Sequence, residues 1–412
     1  MITRPRILLG KGHDRRILAG HPWVFSNEIA TMEGPAPVPG GLVEVRRVDG
    51  AFLGVGLYHP HSLIAVRPVG TGPEAAGLEV IDQGFFEEWL MRAQESRRKA
   101  LGAAAASPPS AYRLCHAEAD GLPGVVVDRY AEVLVVQIAC LGMEQQKGAL
   151  LDALWELLAP AAIVLRGDSL WREQEGLPEE TSVARGKLPE RGLVEILEHG
   201  LRLEIDPLEG QKTGWFLDQR DHRQAIRPFA KEARCLDLCC YQGGFALNAL
   251  AAGAASVLAV DQSEDALGRA RENAALNGLG SRLETQRADV MDLCGESAPP
   301  RSPGGEGGPY DLIVLDPPSF TRSRKAVPSA KKAYRRLNAA ALSWLAPRGI
   351  LATASCSHHI YEETFLQLIE QAAEDAGRGL RILYRGFQPP DHPVLLAMQE
   401  TRYLKFFIFE VA

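Results

Sequence analysis

The chain has 412 residues, 46% of them hydrophobic and 24% charged, with 45 basic against 52 acidic side chains and a formal net charge of −7. This length carries two or three domains, the composition excludes disordered, collagen-like and disulfide-scaffold classes, and the negative balance excludes a generalised polyanion binder. Seven cysteines without a C-x-x-C pair argue for a reduced, cytoplasmic protein with no zinc ribbon or other metal site, and the absence of an apolar run of about 18 residues argues against a membrane role.

Residues 1 to about 72 alternate β-rich runs (41–45, 52–57, 64–68) with turn residues such as Pro39-Gly40-Gly41 and Asp49-Gly50, the pattern of a small all-β module. A second part, 73–188, opens with a helix over 85–101 and a low-complexity linker at 103–109. It continues as an α+β unit: strands from Tyr112, at 125–128, 133–139 and 162–166, a turn at 120–124 and a helix over 145–158. The third part, 189–412, begins with a hairpin pair (193–198, 201–206) and a helix near Asp221. Strands at 234–238, 256–260, 283–286, 312–315, 350–353, 380–384 and 404–409 then alternate with helices, and 299–309 is a Gly/Pro loop. Such alternation forces right-handed crossovers and predicts a largely parallel, doubly wound α/β sheet.

Ligands of such sheets lie outside the carboxyl ends of the strands. The first of these strands runs into Asp237-Leu-Cys239-Cys240-Tyr241-Gln-Gly243-Gly244-Phe245, where glycines let the backbone turn tightly against a ligand. The spacing is neither the G-x-G-x-x-G of pyrophosphate binders nor a Walker loop. Asp261 follows 24 residues later, where an acid can accept ribose hydroxyls, and Asp289 and Asp316-Pro-Pro-Ser319-Phe320 end the next two strands. Several carboxylates would repel a dinucleotide but suit a cationic nucleoside, and S-adenosylmethionine carries both a sulfonium and an ammonium. Each aspartate alone reads as a turn or cap residue; four at corresponding strand ends do not. The fifth strand ends Ser355-Cys356-Ser357, which places a thiol at the mouth of the sheet, where a thiolate could attack an electron-poor pyrimidine carbon.

Together with Lys212-Thr-Gly-Trp-Phe-Leu-Asp-Gln219-Arg220, these motifs resemble the bacterial 23S ribosomal RNA cytosine-5 methyltransferases that carry an N-terminal PUA domain. The resemblance covers nearly the whole chain and includes Tyr58-His-Pro-x-Ser62 and Asp120-Gly-Leu-Pro-Gly124. It implies a PUA-like RNA-binding domain, a small α+β domain and a class I (Rossmann-like) methyltransferase domain using S-adenosylmethionine. By position it implies that Asp261 holds the ribose, Asp289 the adenine amino group and the 237–245 loop the methionine part, with Gln219 and Arg220 closing over the cofactor. The candidate cofactor-binding set is therefore Gln219, Arg220, Asp237, Cys239, Tyr241, Gly243, Phe245, Asp261, Gln262, Asp289, Val290 and Asp316.

The same resemblance makes Cys356 the nucleophile, and the mechanism then expected of it has Asp316 hydrogen-bond the ring nitrogen or exocyclic amine of the base. Unlike the two-cysteine RNA methyltransferases, this sequence has no cysteine in its Asp316-Pro-Pro-Ser loop, and the group that releases the product stays unassigned. Arg322, Arg324, Lys325, Lys331, Lys332, Arg335 and Arg336 form a basic run beside that loop and are expected to hold phosphates of 23S ribosomal RNA. The reading admits a homodimer. It also leaves two alternatives open: a guanine-N methyltransferase of the same fold, for which Cys356 is incidental, and a non-catalytic RNA-binding assembly factor.

Overall fold

The computed structural model describes residues 4–102, 111–295, 299–301, 309–321 and 323–412. The linker expected at 103–109, most of the Gly/Pro loop and Arg322 lie outside the described residues. Contacts divide the chain into two compact units: Met1–Ile196 with Ile205–Leu217 and Pro390–Thr401, and Leu197–Glu204 with Asp218–Pro389 and Arg402–Ala412.

The first unit opens on β1 (Arg6–Leu9), α1 (Asp14–Leu18), β2 (Val24–Phe25), β3 (Ile29–Glu33), β4 (Leu42–Arg46), β5 (Phe52–Tyr58) and β6 (Ile64–Thr71), which form a six-stranded sheet in the order β2-β6-β5-β4-β1-β3. The alternating burial of β4 puts Val43 and Val45 into a core with Ile7, Leu9, Val24 and Val66. Then come α2 (Gln83–Leu101), β7 (Ala111–His116), β8 (Val125–Tyr130), β9 (Val133–Ile138), α3 (Leu141–Gln145), α4 (Lys147–Leu158), β10 (Ala162–Arg166), α5 (Leu170–Gln174) and β11 (Thr181–Gly186). Their sheet runs β11-β10-β9-β8-β7. Val55, Leu57 and Val69 of the first sheet join the core of the second, alongside Phe86, Leu90, Val127, Val136 and Leu154.

Three of the six N-terminal strands, β1, β2 and β3, fall outside the expected runs. Four residues suffice for β1 because it is paired on both sides, antiparallel to β3 and parallel to β4. The basic N-terminal stretch is also partly neutralised: Arg6 Nε lies 3.7 Å from Glu44 and Arg16 Nη1 3.5 Å from Glu28, with the Arg16 guanidinium 4.7 Å over the Phe25 ring.

The hairpin of β12 (Val194–Glu198) and β13 (Leu201–Ile205) precedes α6 (Arg220–Ala225). The second unit then alternates β14 (Arg234–Leu238), α7 (Gly244–Ala251), β15 (Ser256–Asp261), α8 (Glu264–Leu276), β16 (Leu283–Arg287), α9 (Val290–Leu293), β17 (Tyr310–Leu315), α10 (Val327–Trp344), β18 (Leu345–Ser355), α11 (Glu362–Ala376), β19 (Leu380–Gly386) and β20 (Lys405–Val411). The sheet order is β16-β15-β14-β17-β18-β20-β19. Strands β14 to β18 are mutually parallel, and β20 inserts antiparallel between β18 and β19. All seven expected strands are present. β18 starts five residues earlier than the expected 350, because Pro347-Arg348-Gly349 reads as a turn but is absorbed by a register shift in which Arg348 takes φ +62°. Among the described residues no helix is long and apolar enough to cross a membrane.

Candidate active site

The connection reverses direction between β14 and β17, adjacent strands in the middle of the sheet, and this switch point opens the crevice in which such folds hold ligands. Asp237 is the penultimate residue of β14, Asp261 closes β15, Asp289 stands two residues past β16, Asp316 follows β17 and Cys356 follows β18. Register fixes their neighbourhood: Leu238 pairs with Leu315, and Asp316 N–H lies 3.4 Å from the Leu238 carbonyl. Five consecutive parallel strands therefore deliver one chemically active side chain each to the same edge.

The turn after β14 is held in an uncommon backbone conformation. Cys239 and Tyr241, neither of them glycine, take φ of +60° and +51°, and Gly243 takes +76°. Left-handed backbone at a branched-loop cysteine and a tyrosine costs energy that the surroundings must offset. Here the Asp261 carboxylate accepts from Tyr241 N–H at 2.8 Å and Cys240 N–H donates to the Val260 carbonyl at 3.0 Å. At Gly243 a Cβ would stand 3.0 Å from the Ala270 Cβ, so α7 starts against α8 only because glycine is there.

Asp237 is 2% exposed. Its Oδ2 accepts from Ala246 N–H at 2.9 Å, whereas Oδ1 is buried with no hydrogen-bond partner among the described residues. Burial, with further repulsion from Asp316 and Asp261, pushes its pKa from 3.8 up to about 8. The Cys239 thiol is likewise driven well above its ordinary value by burial and by the charges of Asp261, Asp316, Asp237 and Asp289. The four acids thus converge on one small region. An unpartnered buried carboxylate oxygen, a glycine cradle and a ring of negative charge fit a ligand bearing positive charge and N–H or O–H donors, as S-adenosylmethionine does.

The remaining candidates fall into different surroundings. Asp261 Oδ1 accepts from Ser263 N–H at 2.9 Å, and Asp289 caps α9 by accepting from Met291 N–H at 2.8 Å. Gln262 is exposed, with its carbonyl taken by Arg287, while Val290 is buried in the core of the second unit. Phe245 is 5% exposed and stacks on Phe406, with centroids 5.9 Å apart. Phe406 stacks in turn on His222 at 4.2 Å, and His222 Nδ1 lies 2.6 Å from Gln219 Oε1. This pile ties the segment before β14 to the loop after it, and burial holds His222 neutral, its pKa lowered to about 3. Arg220 Nε lies 3.3 Å from Asp221.

Cys356 is half-buried, next to a set of hydroxyls that sequence patterns did not single out. Ser355 Oγ donates to the Tyr334 hydroxyl at 3.0 Å, which lies 3.0 Å from Ser357 Oγ. Ser357 Oγ is also 3.2 Å from Ser319 Oγ, so the Cys356 loop and the Asp316-Pro-Pro-Ser319 loop are joined directly. Lys405 was also missed, although a lysine at the head of the apolar run Phe406-Phe-Ile-Phe is a legible signal.

Of the basic run, Arg324 and Lys325 sit exposed on a short 3-10 turn, and Lys331, Lys332, Arg335 and Arg336 form the outer face of α10. The opposite face buries Ala330, Tyr334, Leu337 and Ala341, as the 3.6-residue period requires. Arg335 is not free for a phosphate, since it makes a bidentate pair with Asp375 of α11 at 2.6 and 2.7 Å.

A seven-stranded sheet of this order, with acids at the carboxyl ends around a glycine turn, defines a class I methyltransferase fold. Residues 124–407 match the family model described as S-adenosylmethionine-dependent methyltransferase, and residues 7–69 match the PUA-like domain. A Klebsiella pneumoniae protein named Ribosomal RNA large subunit methyltransferase I is 39% identical over 408 residues, covering 99% of this chain and 98% of that protein. A protein of the same name from Aeromonas hydrophila is 40% identical over 400 residues, covering 97% of each. Among solved structures, a Streptococcus mutans chain described as a SAM-dependent methyltransferase superposes with a TM-score of 0.80 at 19% identity, covering 98% of this chain and all of that one. A chain described as a methyltransferase complexed with SAH gives 0.81 at the same identity and coverage. The chain belongs to the S-adenosylmethionine-dependent methyltransferases and carries an N-terminal PUA-like domain.

Proposed function

We propose that the protein methylates carbon 5 of a cytosine in 23S ribosomal RNA through a transient bond from Cys356. The RNA class is taken from relatives named for the ribosomal large subunit that match over nearly the full length. One observation carries the chemistry: a half-buried thiol and a carboxylate, Cys356 and Asp316, follow neighbouring parallel strands, and their loops are tied together by the Ser319–Ser357 contact of 3.2 Å.

The residues would act in the following order. The target base leaves its stack, at a cost of a few kcal/mol that is smaller in an unpaired ribosomal loop. The Cys356 thiolate adds to carbon 6; the sulfur–carbon bond forms and the electron pair of the 5,6 double bond shifts toward carbon 5 and the ring amidine. Asp316 would hydrogen-bond the ring nitrogen or the exocyclic amine and limit the charge built up there. When bound, S-adenosylmethionine supplies the methyl group that carbon 5 accepts. Asp237, Asp261 and Asp289 would orient that donor through its ammonium, ribose and adenine. Removal of the carbon-5 proton then restores the double bond and returns the electron pair to sulfur, freeing Cys356. The exposed Lys331, Lys332 and Arg336 on α10, with Arg324 and Lys325 before it, would hold phosphates.

The test is nucleoside analysis of large-subunit ribosomal RNA incubated with the protein and methyl-labelled S-adenosylmethionine. Label in 5-methylcytidine is the expected product. Label in an N-methylguanosine would replace this reading with the guanine-directed one, and no label at all would favour a binding protein.

A further inference from the structure

The second unit contains a buried cation that the scheme above does not use. Lys405 opens β20 directly opposite Ser355 of β18 and is 4% exposed. Its Nζ donates to the Ser357 carbonyl at 2.8 Å and to the Tyr403 carbonyl at 2.7 Å. Cys356 therefore lies between the residue that pairs with Lys405 in register and the residue whose carbonyl receives its ammonium. Carbonyls replace hydration but leave a buried positive charge uncompensated. Burial lowers the Lys405 pKa to about 8, and the charge on Cys356 acts in the opposite sense.

The other acid that faces Lys405 is already engaged. Glu362 of α11 takes Arg402 at 2.8 Å and Arg385 at 2.6 Å, while Arg402 itself repels Lys405. Tyr334, which burial keeps protonated, is also acted on by the charges of Cys356 and Asp316, so it supplies no cation to the thiol. Sulfur is thus the group whose negative charge Lys405 can balance, and an adjacent ammonium lowers a thiol's pKa.

We propose that Lys405 is the positioning residue of Cys356, a carbonyl-anchored ammonium that keeps the sulfur in its thiolate form within an otherwise acidic site. It rests on the reading of Cys356 as nucleophile but concerns the resting enzyme. The thiol's proton leaves to solvent, and Lys405 stays protonated throughout. When sulfur bonds to the ring its charge leaves the pair, and the unbalanced ammonium favours the thiolate's return at the end of the cycle.

The full-length protein is alkylated with iodoacetamide between pH 5.5 and 10, and modification of Cys356 is followed by peptide mass spectrometry. For the wild type the midpoint should lie below the ordinary thiol value of about 8.5. Lys405→Met should raise it by about one pH unit or more, slowing Cys356 alkylation at pH 7 about tenfold, whereas Lys405→Arg keeps the rate within about twofold. SAH binding by calorimetry confirms that each variant is folded. A Lys405→Met protein that binds SAH and shows the wild-type midpoint overturns the proposal. If that variant does not fold, a wild-type midpoint at or above the ordinary value overturns it instead. A low midpoint that depends on Lys405, found together with a Cys356→Ala enzyme that still methylates, would refute the nucleophile and leave the ion pair standing.

Discussion

Replacing Asp237 with Asn should make the unliganded protein more stable at neutral pH while weakening its hold on the methyl donor. In the folded state the carboxyl titrates at about 8 rather than 3.8, burial being the larger cause and Asp316 and Asp261 the smaller. Between those two values the folded chain binds a proton that the unfolded chain does not. Its contribution is fully present below pH 3.8 and is lost as pH rises through about 8, so stability falls with pH over that window. At about 1.4 kcal/mol for each tenfold change in proton activity, the difference at pH 7 is about 4 kcal/mol before relaxation, and about 2 to 4 kcal/mol is expected in practice. Asparagine keeps a carbonyl oxygen for Ala246 N–H and does not titrate, so urea unfolding from pH 5 to 8 should show a flatter slope and a higher midpoint near pH 8. S-adenosylmethionine, by contrast, brings an ammonium that favours the charged carboxylate; calorimetry should show weaker binding to Asp237→Asn and proton release on binding to the wild type. A variant with an unchanged stability slope would refute the buried-acid argument, and unchanged donor affinity would remove Asp237 from the binding site.

Two further substitutions address the cradle and the RNA surface. Gly243→Ala places a Cβ at 3.0 Å from Ala270 on a backbone with φ +76°, and should cost about 1–2 kcal/mol in urea unfolding and reduce SAH affinity. Replacing Lys331, Lys332 and Arg335 together by Ala should weaken binding to ribosomal RNA and reduce the salt slope by about 1.5 rather than 2, because Arg335 is held by Asp375 and contributes least. An unchanged slope by filter binding would make the outer face of α10 a solvated surface.

The catalytic unit is the most legible part of the sequence because each of its strands is a short apolar run followed by a turn residue that also does chemistry. Asp237, Asp261, Asp289, Asp316 and Cys356 are legible as strand-end residues from the sequence alone, and the parallel register brings them to one edge. Periodicity did not reveal what fixes them. The left-handed backbone at Cys239 and Tyr241 is imposed by contacts with β15, not by residue type. The hydroxyl chain Ser355–Tyr334–Ser357–Ser319 joins residues up to 38 positions apart. β20 enters the sheet antiparallel, so Lys405 meets Ser355 across 50 residues of sequence. In the first unit, β1 was hidden by its brevity and by the arginines around it, whose charges the fold balances with Glu44 and Glu28.

The thiolate addition is tested most directly with large-subunit ribosomal RNA transcribed with 5-fluorocytosine, in which fluorine replaces the proton that must leave carbon 5. Incubated with S-adenosylmethionine, the wild-type protein should form a complex that survives denaturing electrophoresis, with the RNA mapped to the peptide containing Cys356, and Cys356→Ala should form none. Recovery of unlinked RNA from the wild type, under conditions where ordinary RNA is methylated, would contradict the account.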